Sequence, residues 1–356
     1  MAQPTATKLR RVLHAEQATF GTAEATSVAT NFYSTEPVDI TFDVNSRQGG
    51  QVTGALVRDV KDYRTDTHGS MATISESGVV FNNFIPRLLY AVMQNVTEGG
   101  DGVNNTHAFT FPTASQSPDF SANEGYFETI FFTDALPDIS QDVNFKDCIM
   151  SELGLSVEPR GELMFNATWT TRNSSGSAHI GYTGTATRYP ATSGSMTYNY
   201  ELIKEKTASI NGATAFSLDL VGPLNINIVN PVAGSGLDGS GNVENYLLAG
   251  SDFMGGTVTA TIRNTDNARK FKQIWLDSNN GQNSTNRVKL LFRWANLFGT
   301  ANPNGNLLFT VNSVVSNFTH DNSAEENSCT VEFTMCNTTD GVPLTVNTNT
   351  TLDAGW

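Results

Sequence analysis

The chain carries one structural phrase twice, and that repetition limits what it can fold into. In each copy a strand leads into a short helix, and further on two apolar-alternating strands are joined by a turn. The first copy reads VTGALVRDVKDYR at 52–64, NNFIPRLLYAVM at 82–93 and FKDCIMSELGLSVEPRGELMFNATWTTR at 145–172. The second reads GGTVTATIRNT at 255–265, DNARKFKQIWLD at 266–277 and GNLLFTVNSVVSNFTHDNSAEENSCTVEFTMC at 305–336. Identities are weakly shared; order, spacing and polarity are shared. A hairpin with one apolar face must bury it against another layer. The expectation is therefore a mainly β protein of two sandwich-like or small-barrel units, each with a short helix. Duplicated β units are more often scaffold than catalyst. A length of 356 residues suits two domains of ordinary size.

Charged residues make up only 16% of the chain, against roughly 25% in soluble domains. Thr, Asn, Ser and Gly take their place, which suits exposed sheet and turns better than long charged helices. Formal net charge is -14. That argues against sequence-independent DNA binding, which needs clustered Lys and Arg to displace counterions. It is compatible with plain solubility, and with a wall that repels phosphate and lets a duplex pass. The N-terminus has basic residues but no apolar core of a secretory signal. No stretch approaches the ~18 apolar residues of a membrane-spanning helix.

Along the chain, VDITFDV at 38–44 and QVTGALVRDV at 51–60 alternate as strands. In FNNFIPRLLYAVM, Phe84, Leu88, Leu89 and Val92 recur at helical spacing, with Pro86 near the start where its missing N–H costs least. HAFTFP and YFETIFFTDA read as strands. CIMSELGLSVEP and ELMFNATWTTR form a hairpin, with Leu153, Leu155 and Val157 on one face and Leu163, Phe165 and Trp169 on its partner. The Gly- and Ser-rich segment 173–200 reads as a long loop or crossing, and GSGLDGSG at 234–241 as a flexible loop. AFSLDL and LNINIVNP read as strands, and RVKLLFRWANL as a strand or buried run. DNARKFKQIWLD reads as an amphipathic helix with Asp266 or Asn267 as cap and Ala268, Phe271, Ile274 and Trp275 on one side. The divisions expected are an N-terminal arm at 1–37, β units at 38–200 and 201–340, and a C-terminal arm at 341–356.

Chemistry-bearing motifs are missing from the sequence. His14, His68, His107, His179 and His320 are unpaired at metal-binding intervals and fall in expected loops or strand ends. His68, with Asp62 and Asp66 nearby, is the one place where a carboxylate–imidazole pair could form, and a solvated loop cluster is the plainer reading. There is no nucleophile elbow, P-loop or dinucleotide fingerprint. DGSGNVENY has its acidic residues in the wrong frame for calcium. Glu325 and Glu326 lie in a hairpin turn, where they solubilise an edge. Cys148, Cys329 and Cys336 fit no zinc spacing and are expected as buried thiols. Trp169, Trp275 and Trp294 are expected in the core, and Trp356 docked on a partner. The expected catalytic, cofactor-binding and metal residues are therefore none.

GALVRDV before NNFIPRLLYAVM, HAFTFP before YFETIFF, FKDCIMSELGLSVEPRGELMFNATWT, and GGTVTATIRN feeding a second helix together resemble the major tail tube proteins of long-tailed bacteriophages with non-contractile tails. The resemblance spans roughly 40–340 and rests on pattern, with no catalytic residues to carry over. It implies a virion building block assembled in the host cytoplasm. It implies self-association into hexameric rings whose inner sheets close into a shared barrel, and stacking of rings into a hollow DNA conduit. The implied partners are tail completion, tape-measure and baseplate proteins, and phage DNA that passes without tight binding; no membrane is implied. The segments 173–200 and 231–250 depart from the pattern. A capsid decoration, a tail terminator, an extracellular β-sandwich binding module and an enzyme remain alternative readings of the residues.

Overall fold

The computed structural model describes residues 10–22, 24, 30–32, 38–48, 63–80, 85–100, 105–112, 125–134, 143–171, 203–237, 243–248, 254–279, 286–294, 307–321 and 327–350. The protein is mainly β, with a large open antiparallel sheet and two helices. In chain order the first half contains β1 (Arg10–Glu16), β2 (Thr30–Phe32), β3 (Asp39–Gln48), β4 (Tyr63–Val79), α1 (Ile85–Met93), β5 (Val96–Gly100), β6 (Asn105–Thr110), β7 (Glu128–Asp134), β8 (Val143–Val157) and β9 (Met164–Thr171). The second contains β10 (Glu205–Ile210), β11 (Phe216–Ser217), β12 (Leu220–Val229), β13 (Val232–Leu237), β14 (Val243–Leu248), β15 (Gly255–Arg263), α2 (Asp266–Asn279), β16 (Val288–Trp294), β17 (Leu307–Asp321), β18 (Ser328–Met335) and β19 (Leu344–Thr350).

The repeat in the sequence is a repeat of strand pairing. β1 pairs with β2 and β7, β7 with β8, β8 with β9, β9 with β4, and β4 with β3. The second half repeats this as β10 with β11 and β16, β16 with β17, β17 with β18, β18 with β15, and β15 with β12. Even an irregularity recurs. The register of β8 against β9 shifts between Met150 and Glu152, and that of β17 against β18 shifts between Val315 and Asn317. These bulges fix the correspondence, with Met150 matching Val315 and Trp169 matching Phe333. The hairpin β5–β6 belongs to the first half alone, since only 280–287 separate α2 from β16.

One junction, β8 to β12, fuses the units into a run of eight strands ordered β3-β4-β9-β8-β12-β15-β18-β17. Along this run alternate residues are buried. Ile74, Phe165, Ala167, Trp169, Leu153, Leu155, Leu224, Ile226, Val258, Ala260, Val331 and Phe333 form its apolar face. Period-two alternation makes that face continuous, because antiparallel pairing keeps like faces together. α1 packs against β8 and β6, and α2 against β17. Leu88, Leu89 and Val92 of α1 are buried, as their spacing predicts, and Pro86 is the second helical residue. In α2, Ala268, Phe271 and Ile274 are buried and Trp275 packs against the core. Its first helical bond runs from the Arg269 amide to the Thr265 carbonyl. Thr265 therefore occupies the cap position expected for Asp266 or Asn267.

Long strands carry the network beyond this run. Residues 143–148 of β8 continue to β7, β1 and β2, and residues 307–313 of β17 continue to β16, β10 and β11. On its other edge that part of β17 pairs with β19, which pairs with β6 and so returns to the first half.

Several expectations change. The strand leading into α1 is β4, well beyond 52–64; the proposed strand at 51–60 lies outside the described residues. Residues 10–16 and 344–350, expected in free arms, are strands β1 and β19. Of the glycine-rich stretch 234–241 expected as a loop, residues 234–237 lie in β13, paired with β14 from Val232↔Leu248 to Leu237↔Val243, and 238–241 lie outside the described residues. AFSLDL contributes only the two-residue β11 and the first residue of β12. The segment 173–200 and Trp356 lie outside the described residues.

Candidate functional site: a polar sheet face between two open edges

The apolar residues of the eight-stranded run share one core with the buried residues of the helices, which leaves the alternate set on the opposite face. That set includes Thr41 and Asp39 on β3, Thr73 and Ser75 on β4, and Asn166, Thr168 and Thr170 on β9. It continues with Glu152 and Ser156 on β8, Asn225 and Asn227 on β12, and Thr257, Thr259 and Thr261 on β15. Thr330, Glu332 and Thr334 on β18, and Asn317 and Thr319 on β17, complete it. Among the described residues this face carries no aromatic side chain. Among the described side chains its one cation, Arg263, sits at a strand end and is held by Asp219 at 2.9 Å. Hydroxyl and amide groups on β-branched or short side chains give a hydrated face with little to grip phosphate, and Glu152 and Glu332 bias it negative.

The run ends in two long edges. Among the described residues β3 is paired only with β4, and residues 314–321 of β17 only with β18. By contrast the strands beyond the run end in three-residue β2 and two-residue β11. Short edge strands block further pairing; long open ones invite it. The junction β8–β12 shows how such an edge is satisfied. Its register runs from Leu224↔Val157 through Asn227↔Gly154 to Val229↔Glu152, and the Asn230 amide bonds the Ser151 carbonyl at 2.8 Å. Leu153, Leu155, Leu224, Ile226 and Ile228 are buried across it. On the polar side the Asn227 side chain lies over Gly154, where an added Cβ would meet Asn227 Oδ1 at 4.0 Å.

A charge cluster lies inside the first unit. His14 on β1 sits between two carboxylates, with Nδ1 2.5 Å from Glu128 Oε2 and Nε2 3.1 Å from Glu76 Oε1. The Arg87 Nε of α1 donates to Glu128 Oε1 at 2.6 Å, as does the Tyr126 hydroxyl at 2.8 Å. The Trp169 indole donates to Glu76 Oε2 at 3.0 Å. Burial opposes charge on His14, but Glu76 and Glu128 outweigh it and hold the imidazole up at about 9. Burial likewise opposes charge on Glu128, and Arg87 and His14 reverse this and hold it down at about 2. Two carboxylates therefore face two cations, a neutral set able to persist away from water. His14 and both glutamates are at most 1% exposed, so a substrate has no approach. The imidazole bridges the carboxylates rather than converging with them on a point. Among the described residues no group of His, Cys, Asp and Glu is placed to hold a metal ion.

Beside it, Gln17 donates to Asp147 and accepts from the Asp147 amide at 2.9 Å and from Thr129 Oγ1 at 3.1 Å. Asp147 has φ 54° and sits where β8 is irregular against β7. Its side chain also accepts from the Gly21 amide at 2.6 Å.

His14 and His107 lie within strands rather than in loops or at strand ends. A carboxylate–imidazole contact forms at His14. His68 and Asp66 fall in β4 with side chains outside the described set, and Asp62, His179, Glu325 and Glu326 lie outside the described residues. His320 is exposed beside Phe318. Cys148 and Cys329 are buried and Cys336 half-buried, all as free thiols. Trp169 and Trp294 are fully buried. The His14 cluster escaped sequence reading because its partners are 62 and 114 residues away. The available signal was polarity at inward positions of β4 and β7, where Glu76 and Glu128 interrupt apolar alternation. Among the described residues no helix is long and apolar enough to cross a membrane. No protein-family model and no curated protein matches this sequence.

Proposed function

We propose that this chain is a structural subunit of a phage tail tube, polymerising as stacked rings into a hollow conduit for DNA. The observation that carries the reading is the eight-stranded run of two equivalent units, whose polar face carries almost no cation and whose ends are long open edges among the described residues. A tube that passes DNA needs a wall that wets and does not bind, and a subunit that pairs with its own kind. The Thr-, Ser- and Asn-rich face with Glu152 and Glu332 meets the first need, consistent with a net charge of -14. Pairing that consumes both open edges meets the second. Inner sheets would then close into a shared barrel, with the helices and the remaining strands outside, and heterologous contacts between rings would extend the filament. Tail completion, tape-measure and baseplate proteins are the partners such a tube meets.

A glycan-binding module would display aromatic residues on one sheet face; the polar face here displays none among the described residues, among which Leu276 of α2 is the one exposed large apolar side chain. Negative-stain imaging of the concentrated protein tests the proposal. Hollow tubes are expected. A monodisperse monomer at every concentration would sink it, and closed rings that never stack would move the assignment to a tail terminator or related ring. Native mass of the ring counts the copies, since six chains present twelve units and three chains present six.

A further inference from the structure

Resting on the ring-forming reading, we infer that copies join by repeating the β8–β12 junction between chains, the β3 edge of one copy pairing with residues 317–321 of β17 of the next. The internal correspondence fixes the register. β17 matches β8, and Ser316, Asn317, Phe318, Thr319 and His320 stand where Ser151, Glu152, Leu153, Gly154 and Leu155 stand. β3 matches β12, because Ile40 pairs with Ile74 as Ile226 pairs with Val258, and both partners lie opposite the matching Trp169 and Phe333. Within the chain, Ile228 opposes Leu153, Asn227 opposes Gly154 and Ile226 opposes Leu155. Transposed, Phe42 opposes Phe318, Thr41 opposes Thr319 and Ile40 opposes His320 of the next chain.

The occupant of these edges is a second copy for three reasons. Each edge is the structural counterpart of one already seen paired. The edges complement one another and not themselves, so the contact is head-to-tail and propagates. The exposure of His320, at a position whose counterpart Leu155 is only 2% exposed, is what removal of a neighbouring strand produces. One feature opposes the pairing: it sets Asp39 opposite Asp321, where the internal junction has Asn225 opposite Ser156. Like charges directly opposed are destabilising, so this junction is weaker than its internal template and is favoured by salt.

Thr41 and Thr319 are both exposed and stand at opposite ends of the eight strands. At a spacing of about 4.8 Å per strand they are roughly 33 Å apart within one chain, far beyond disulfide reach. The full-length double variant Thr41→Cys/Thr319→Cys, assembled and then mildly oxidised, should give a ladder of covalent multimers on a non-reducing gel, ending at the ring size. A mixture of the two single variants should stop at dimers. The control Thr41→Cys/Asn317→Cys, displaced by two residues, should give at least tenfold less. Rings or tubes that form without the ladder, or with equal ladders from both pairs, overturn the junction and leave the tube proposal standing. Cross-linked closed rings that never stack leave the junction standing and remove the tube. A protein that never self-associates removes both.

Discussion

The two units solve the same packing problem with opposite chemistry. At the positions occupied by His14, Glu76, Glu128 and Trp169 in the first, the second has Ala208, Ala260, Val288 and Phe333, and all eight are at most 1% exposed. Where Arg87 reaches from α1 to Glu128, α2 sends Phe271 edge-on to Phe333 with ring centroids 5.2 Å apart. One backbone plan thus accepts either a closed ionic network or an aromatic–aliphatic core. The difference teaches where sensitivity lies. An apolar core fails gradually as volume is lost, whereas a buried network fails sharply when one member leaves the rest unpaired.

The largest effect is expected from Glu128→Ala, which takes a partner from each of His14, Arg87 and Tyr126. It should cost about 3–5 kcal/mol in denaturant unfolding, against roughly 2 kcal/mol or less for Val288→Ala at the matching position. Equal losses would erase the contrast between the units. Next comes pH. His14 is held at about 9 against an ordinary 6.5, so its stabilisation is complete below 6.5 and fades as pH rises through 9. Glu128 is held at about 2 against 4.5, so its contribution is complete above 4.5 and is lost as pH falls through 2. Stability should therefore be greatest between pH 4.5 and 6.5 from these two groups. It should fall on either side by on the order of 3 kcal/mol, an amount the pair shares because one attraction shifts both. A Glu128→Gln variant that kept the same profile would place its origin elsewhere.

A smaller change is expected when the first unit is given the second's chemistry. Combining His14→Ala, Glu76→Ala, Glu128→Val and Trp169→Phe with Arg87→Leu should destabilise by less than Glu128→Ala alone, since neutral replacement of a whole buried network is often tolerated. If the combined variant is the worse of the two, the network sets the fold of the first unit and is not merely an alternative core. The smallest effect concerns the edges. Asp39→Asn should leave monomer stability within about 0.5 kcal/mol while lowering the salt needed for self-association, read by light scattering.

Legibility in the sequence follows the range of the forces involved. α1, α2 and the hairpins β8–β9 and β17–β18 announce themselves because amphipathic spacing and a local turn specify them within thirty residues or so. β1 and β19 do not, because most of the pairing that defines them is distant, β1 with β7 over its full length and β19 with β17 and β6. In β13 the sequence VAGSGL has glycine where a strand former is expected, yet β14 opposite supplies Tyr246 and Leu247 and the hairpin forms. The polar face was visible as an abundance of Thr, Asn and Ser; that it is a single surface required the β8–β12 junction. His14 was visible only as an isolated imidazole.

The placement of β19 sets a schedule. β6 is complete by Thr110, but its partner residue Thr345 is made 235 residues later. At synthesis rates of about 5–20 residues per second, β6 waits roughly ten to fifty seconds for its neighbour. During that interval the edge of β6 opposite β5 stays open to strands of other nascent chains, and only β19 seals it.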